Sequence, residues 1–134
     1  MCCHFVLPYI TFNSKCVLMK KENIIQEKSF QFALDIIILY KKLIKENEYV
    51  VSKQLLRSGT SIGANIEEGI AAQSRKDFIS KMSIASKEAR ESRYWLRLLN
   101  KSDLTKLDVT EWLNASDELV RILTSIVKTT RDNS

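Results

Sequence analysis

Gln54–Gly69, QLLRSGTSIGANIEEG, is the stretch on which the fold turns. Its middle, Ser58–Asn65, holds two glycines, two serines, a threonine and an asparagine, residues that weaken helices and favour loops. The apolar positions point the other way. Val51, Leu55, Ile62 and Ile66 form one stripe at helical spacing that passes straight through the weak segment. The reading is therefore a helix over roughly Glu48–Gly69, with Gly69 as its C-terminal stop. On this helix Gln54, Ser58, Ser61, Asn65 and Glu68 fall within an arc of about 80°. Small side chains there allow a second helix to approach closely, and Asn and Gln can fix its register. Arg57 flanks the stripe and is expected to pair with Glu67 or Glu68.

Outward from this stretch, helical periodicity continues. A first helix is expected over about Ser29–Lys45, capped by Ser29. Phe30, Ala33, Ile37, Tyr40 and Ile44 share its main apolar face, which Ile36, Leu39 and Leu43 widen. A helix this apolar needs neighbours on more than one side. The third helix opens with Ser74-Arg75-Lys76-Asp77, an S-x-x-D capping pattern, and ends near Lys101. Its core face is Phe78, Met82, Ala85, Ala89, Leu96 and Leu99. After a short connection a fourth helix starts near Asp108 and turns Trp112, Ser116, Leu119, Leu123 and Ile126 inward. Short connections between helices of similar length make an antiparallel up-down four-helix bundle the economical all-α fold.

The chain has 134 residues, enough for one domain, with three glycines and a single proline, Pro8. Residues 1–22 are expected to form an N-terminal extension, 23–129 the bundle, and 130–134 a frayed tail. Met1–Leu18 is oddly apolar yet has no basic leader and no span of membrane length, whereas Met19 opens an ordinary bacterial start. It reads as an unstructured arm or as sequence upstream of the true start. Cys2, Cys3 and Cys16 form no C-x-x-C pair, so zinc held by these and His4 is not expected. Reduced thiols in a cytoplasmic protein are the simpler account. No metal and no cofactor are implied.

Twenty-one Lys and Arg against sixteen Asp and Glu give a net charge of +5, a mild excess that suits an anionic partner. The excess is localised. Between Arg75 and Lys101 there are eight basic and three acidic residues, a surplus equal to that of the whole chain. Arg75, Lys76, Lys87, Arg90, Arg93, Arg97 and Lys101 fall within an arc of about 120° that contains no acid. A basic helix face is ordinarily a solvated one with i,i+4 partners. Without an acid in the stripe such pairing cannot neutralise it, so nucleic-acid phosphates are the candidate ligand. Solvation alone, or an acidic flank on another subunit, are the competing accounts. The opposite flank carries Asp77, Glu88 and Glu91 together with a second apolar seam, Ile84, Trp95 and Leu98. A basic flank on one side and an acidic, apolar flank on the other is the layout of a head-to-tail contact that closes into a ring. The plainer reading is that Trp95 packs on the fourth helix.

Catalysis finds no support. Ser58, Ser61 and Glu68 share a face, but no histidine or lysine accompanies the serines, and serine activation needs an adjacent base.

Ser52–Leu99, SKQLLRSGTSIGANIEEGIAAQSRKDFISKMSIASKEARESRYWLRLL, resembles the four-helix-bundle family of 23S rRNA intervening-sequence proteins, also called the S23 family. The resemblance spans about Phe30–Thr129. Its specific residues are Gln54, Leu55, Arg57, Ser58, Ser61, Ile62, Asn65, Ile66, Glu68 and Gly69, then Asp77, Phe78 and Glu88. It implies a left-handed bundle assembled as a homopentameric ring, with helix through SGTSIGAN. Some members are encoded within 23S rRNA genes, which names the family without making it ribosomal. A related group, the accessory variability protein of diversity-generating retroelements, is a basic pentamer that binds nucleic acid and a reverse transcriptase. No enzymatic activity is established for the family at large. Two departures stand out: residues 1–18 have no family counterpart, and Ser86-Lys87-Glu88-Ala89-Arg90 replaces a segment with Gly, Ser and Leu, making the third helix more basic. The expected function is a homo-oligomeric scaffold that binds RNA or DNA through phosphates. The alternative is an assembly module that docks another protein, with no membrane role in either case.

Overall fold

The computed structural model describes residues 12–133. They form four helices and no strand: α1 (Phe12–Lys45), α2 (Val51–Ile70), α3 (Arg75–Lys101) and α4 (Thr110–Asp132). Each helix packs on two neighbours in the cycle α1–α2–α3–α4–α1, and the diagonal pairs do not meet. The α1–α4 pair is antiparallel. Trp112 donates to the Asp35 carbonyl, Lys28 pairs with Glu118, and Lys21 donates to Ser125, so partners on α4 rise as those on α1 fall. No helix is long and apolar enough to cross a membrane among the described residues.

The segment SGTSIGAN is helical throughout. Leu55, Ile62 and Ile66 are almost wholly buried, and of the small residues between them Ser58 and Gly59 are buried too. A Cβ on Gly59 would stand 3.0 Å from two side-chain carbons of Ile36, so glycine here sets how closely α1 approaches α2. Gly69 does not stop the helix: it is buried within it, where a Cβ would stand 3.1 Å from Lys81 Cβ and Met82 Cε. None of the described glycines has a positive φ, so close packing is the reason for Gly69 and not a left-handed turn.

The start of α2 has no side-chain cap at Val50. Glu48 takes that role from two residues upstream, its carboxylate accepting from the backbone N–H groups of Val50, Val51 and Ser52 at 3.2, 3.0 and 2.6 Å. Burial alone would raise the Glu48 carboxyl, but these bonds, with the Ser52 side chain, outweigh it and hold the group below its ordinary range. Asn47 makes the turn between α1 and α2 at φ 62°, a left-handed conformation that asparagine tolerates. Ser74 caps α3 as its sequence pattern implies, accepting from the Asp77 N–H at 3.1 Å.

Three expectations about α1 are corrected. The helix begins seventeen residues before Ser29, which is no cap: it is buried in mid-helix and donates to the Gln26 carbonyl. The helix also runs unbroken past residue 22, where a boundary was expected. The inward face is likewise different. Ile25, Phe32, Ile36, Leu39 and Leu43 are buried, whereas Phe30 is 64 % exposed and Ile37 is exposed. The residues expected to widen the stripe form its centre, because Ile36 is the one that meets Gly59. At the other end α4 continues to Asp132 beyond the expected fraying point, with Thr130 buried and donating to the Ile126 carbonyl. Cys16 is disulfide-bonded and is not the reduced thiol expected. Cys2, Cys3 and His4 lie outside the described residues.

Candidate nucleic-acid interface

Of the polar stripe of α2, Ser58 and Glu68 reach α3 within the chain. Ser58 is fully buried and accepts from Ser92, whose hydroxyl also reaches the Glu88 carbonyl. Two small residues opposite one another let the two backbones come close. Ser61 and Asn65 turn back onto their own helix, donating to the carbonyls of Arg57 and Ser61. Gln54 is exposed. Neither serine has a base beside it among these partners.

Arg57 does not pair with Glu67 or Glu68. Its guanidinium crosses to α3 and binds Glu88 at 3.2 Å and Glu91 at the next turn. Glu68 instead lies 3.6 Å from Lys81, and Glu67 accepts from Gln26. Although burial opposes it, this pair of carboxylates raises Arg57 above its ordinary value. Trp95 joins the same cluster, its indole N–H donating to Glu91 at 3.1 Å. Trp95 packs against the hydrophobic core, half-buried like Leu98, so of the expected outer seam only Ile84 stays exposed. The larger open apolar row lies on α1, where Phe30, Leu34, Ile37 and Ile38 are all exposed at i, i+4, i+7 and i+8.

With Glu88 and Glu91 held on the α2 side, the other side of α3 is basic. Lys76, Lys87, Arg97 and Lys101 are exposed and make no hydrogen bond or ion pair among the described residues. The remaining three are tied down. Arg90 donates to Thr124 at 3.1 Å, Arg93 lies 3.4 Å from Asp117, and Arg75 donates to the Asn133 carbonyl at the end of the bundle. Arg75 also lines a separate groove with Glu22, whose carboxyl is pushed up by burial.

Helix α4 adds residues outside the expected basic stripe. A groove of about 440 Å³ runs between α3 and α4, and Lys87 and Arg90 face Lys128 and Arg131 across it. Asp132 is its one acid, and Ser83, Ser86 and Thr124 supply hydroxyls. The Ser83 oxygen is buried with no hydrogen-bond partner among the described residues. The signal existed: Arg121, Thr124, Lys128 and Arg131 recur at i, i+3, i+7 and i+10, one face of a helix. No cluster of metal-ligating side chains occurs among the described residues.

No curated protein matches the chain. A crystal structure of a protein of unknown function from the S23 ribosomal protein family of Bacteroides thetaiotaomicron VPI-5482 is similar, with 49 % identity and a TM-score of 0.75. The similarity covers 81 % of this chain and 98 % of that one. The pattern of the 23S rRNA-intervening sequence protein family matches residues 21–125, and with those residues in the helices described above the chain belongs to that family.

Proposed function

We propose that the chain is a self-associating helical scaffold that holds RNA or DNA through phosphates, without reading sequence and without catalysis. The observation that carries this reading is the division of charge across α3. Arg57 keeps Glu88 and Glu91 on one side, leaving Lys87, Arg97 and Lys101 unpaired on the other. Cations placed this way position a backbone and carry no base code. Self-association rests on α1, whose exposed apolar row is of a kind uncommon on monomers. A closed ring, pentameric as the resemblance implies, would present several such faces to one strand and multiply weak contacts. The cytoplasm, with its RNA and DNA, is the location this reading implies.

Salt dependence is the test. Four phosphate contacts per chain, at Lys87, Arg90, Arg97 and Lys101, imply a log–log slope of about −2.8 for a single strand. Affinity for mixed RNA should then fall about 50-fold between 50 and 200 mM salt. The double substitution Arg90→Glu, Arg97→Glu should weaken binding at low salt by roughly tenfold or more. Equal retention by the double variant would remove the proposal. The same α1 row also supports a second reading, in which the assembly docks another protein; a pull-down that survives nuclease would favour it.

A further inference from the structure

We infer that the basic face of α3 is a site for single-stranded nucleic acid, with the Tyr94 ring as a stacking platform for a base. This rests on the phosphate-binding reading above and adds a choice of strand state to it. Tyr94 lies four residues after Arg90 and three before Arg97, and seven from both Lys87 and Lys101. At helical spacing these five side chains share one surface. The ring is 52 % exposed, and its hydroxyl makes no hydrogen bond among the described residues. It leans edge-on against Trp95, with centroids 5.1 Å apart and planes at 68°. Trp95 is itself fixed by Glu91 and the core, so Tyr94 is an open aromatic on a firm backing.

Cations that track a backbone, interleaved with an aromatic on which a base can lie, are the two parts of a single-strand site. A duplex offers the same phosphates but keeps its bases stacked on one another, so it gains nothing from the ring. Beside the tyrosine the α3–α4 groove offers a seat for a neighbouring phosphate. Lys87 and Arg90 meet Lys128 there, and Ser86 and Thr124 stand in the same lining.

The test is fluorescence anisotropy at low salt on the full chain. The probes are labelled oligo-uridine, oligo-thymidine and a duplex of equal length, with unlabelled heparin as a polyanion lacking bases. Tyr94→Ala should weaken single-strand binding about 5- to 150-fold and leave duplex and heparin binding unchanged. Tyr94→Phe should match the parent, since stacking needs the ring and not the hydroxyl. An unchanged single-strand affinity in Tyr94→Ala, or an equal loss on the duplex, overturns the inference while leaving the phosphate reading intact. A smaller assembly mass for Tyr94→Ala by light scattering also overturns it, because the ring would then serve a subunit contact. If the parent binds none of the probes and Arg90→Glu, Arg97→Glu changes nothing, the phosphate reading and this inference fall together.

Discussion

Gly59 and Gly63 sit four residues apart on α2 and should respond in opposite ways to the same added methyl group. Replacing a mid-helix glycine by alanine gains about 1 kcal/mol from backbone entropy alone. At Gly63 nothing opposes that gain. The new Cβ would lie 3.6 Å from the Ser29 carbonyl and hydroxyl oxygens, ordinary contact distance. At Gly59 the Cβ would lie 3.0 Å from Ile36 Cγ1 and Cγ2 and 3.3 Å from its Cβ. Those atoms stand at the root of a branched side chain that is fully buried, so relief requires α1 to shift. Overpacking of this kind costs about 1–3 kcal/mol, which offsets the helix gain or exceeds it. Gly63→Ala should therefore be more stable than the parent by up to about 1 kcal/mol, and Gly59→Ala should be neutral to about 2 kcal/mol less stable. Urea denaturation followed by circular dichroism, at equal protein concentration, reads both. A Gly59→Ala variant as stable as Gly63→Ala would refute the close α1–α2 approach and, with it, the inward placement of Ile36.

Glu48→Ala should cost about 0.5–2 kcal/mol at neutral pH, the range for losing a helix cap, measured by the same denaturation. Because the folded state holds the Glu48 carboxyl below its ordinary value, its contribution is present above the unfolded pKa near 4.3 and is lost as pH falls through the folded one. The stability gap between the parent and Glu48→Gln should therefore shrink on acidification below about pH 4.3, and a gap that widens would contradict the capping geometry. The combined change Phe30→Glu, Ile38→Glu, at positions 64 % and 49 % exposed, should lower the assembly mass in light scattering without loss of helicity. An unchanged mass would dismiss α1 as the contact surface. Ser92→Leu should cost about 3 kcal/mol in thermal or urea unfolding, since it forces bulk into the fully buried contact with Ser58.

The all-helical architecture was legible, as was helix through SGTSIGAN, because Val51, Leu55, Ile62 and Ile66 keep one phase across residues whose local preference is for a loop. The cap at Ser74 and most of the α3 core followed from spacing as well. What a helical wheel could not supply was the phase of α1. Phe30 and Ile37 are as apolar as Phe32 and Ile36, and the choice is made by Gly59 on a different helix. Gly69 misled for a related reason: glycine near a helix end serves a left-handed cap in many chains and close packing in this one. The partners of Arg57 lie 31 and 34 residues away, beyond any local pattern. On the candidate site, the basic run of α3 was visible in sequence, and the contribution of α4 was visible in spacing but became meaningful only once the two helices lay side by side.

Arg57 stands on the flank of α3 opposite the candidate ligand surface, yet that surface depends on it. Glu91 is four residues from Lys87, close enough on a helix to reach it once released. A neutral side chain at position 57 would leave that carboxylate with the Trp95 indole N–H alone and its charge uncompensated, to shield the lysine from within and dim the attraction for phosphate with every cation still in place. A genetic screen for lost polyanion capture should then return position 57, a residue that never meets the ligand, and removing the released charge by also changing Glu91 to glutamine should recover the phenotype.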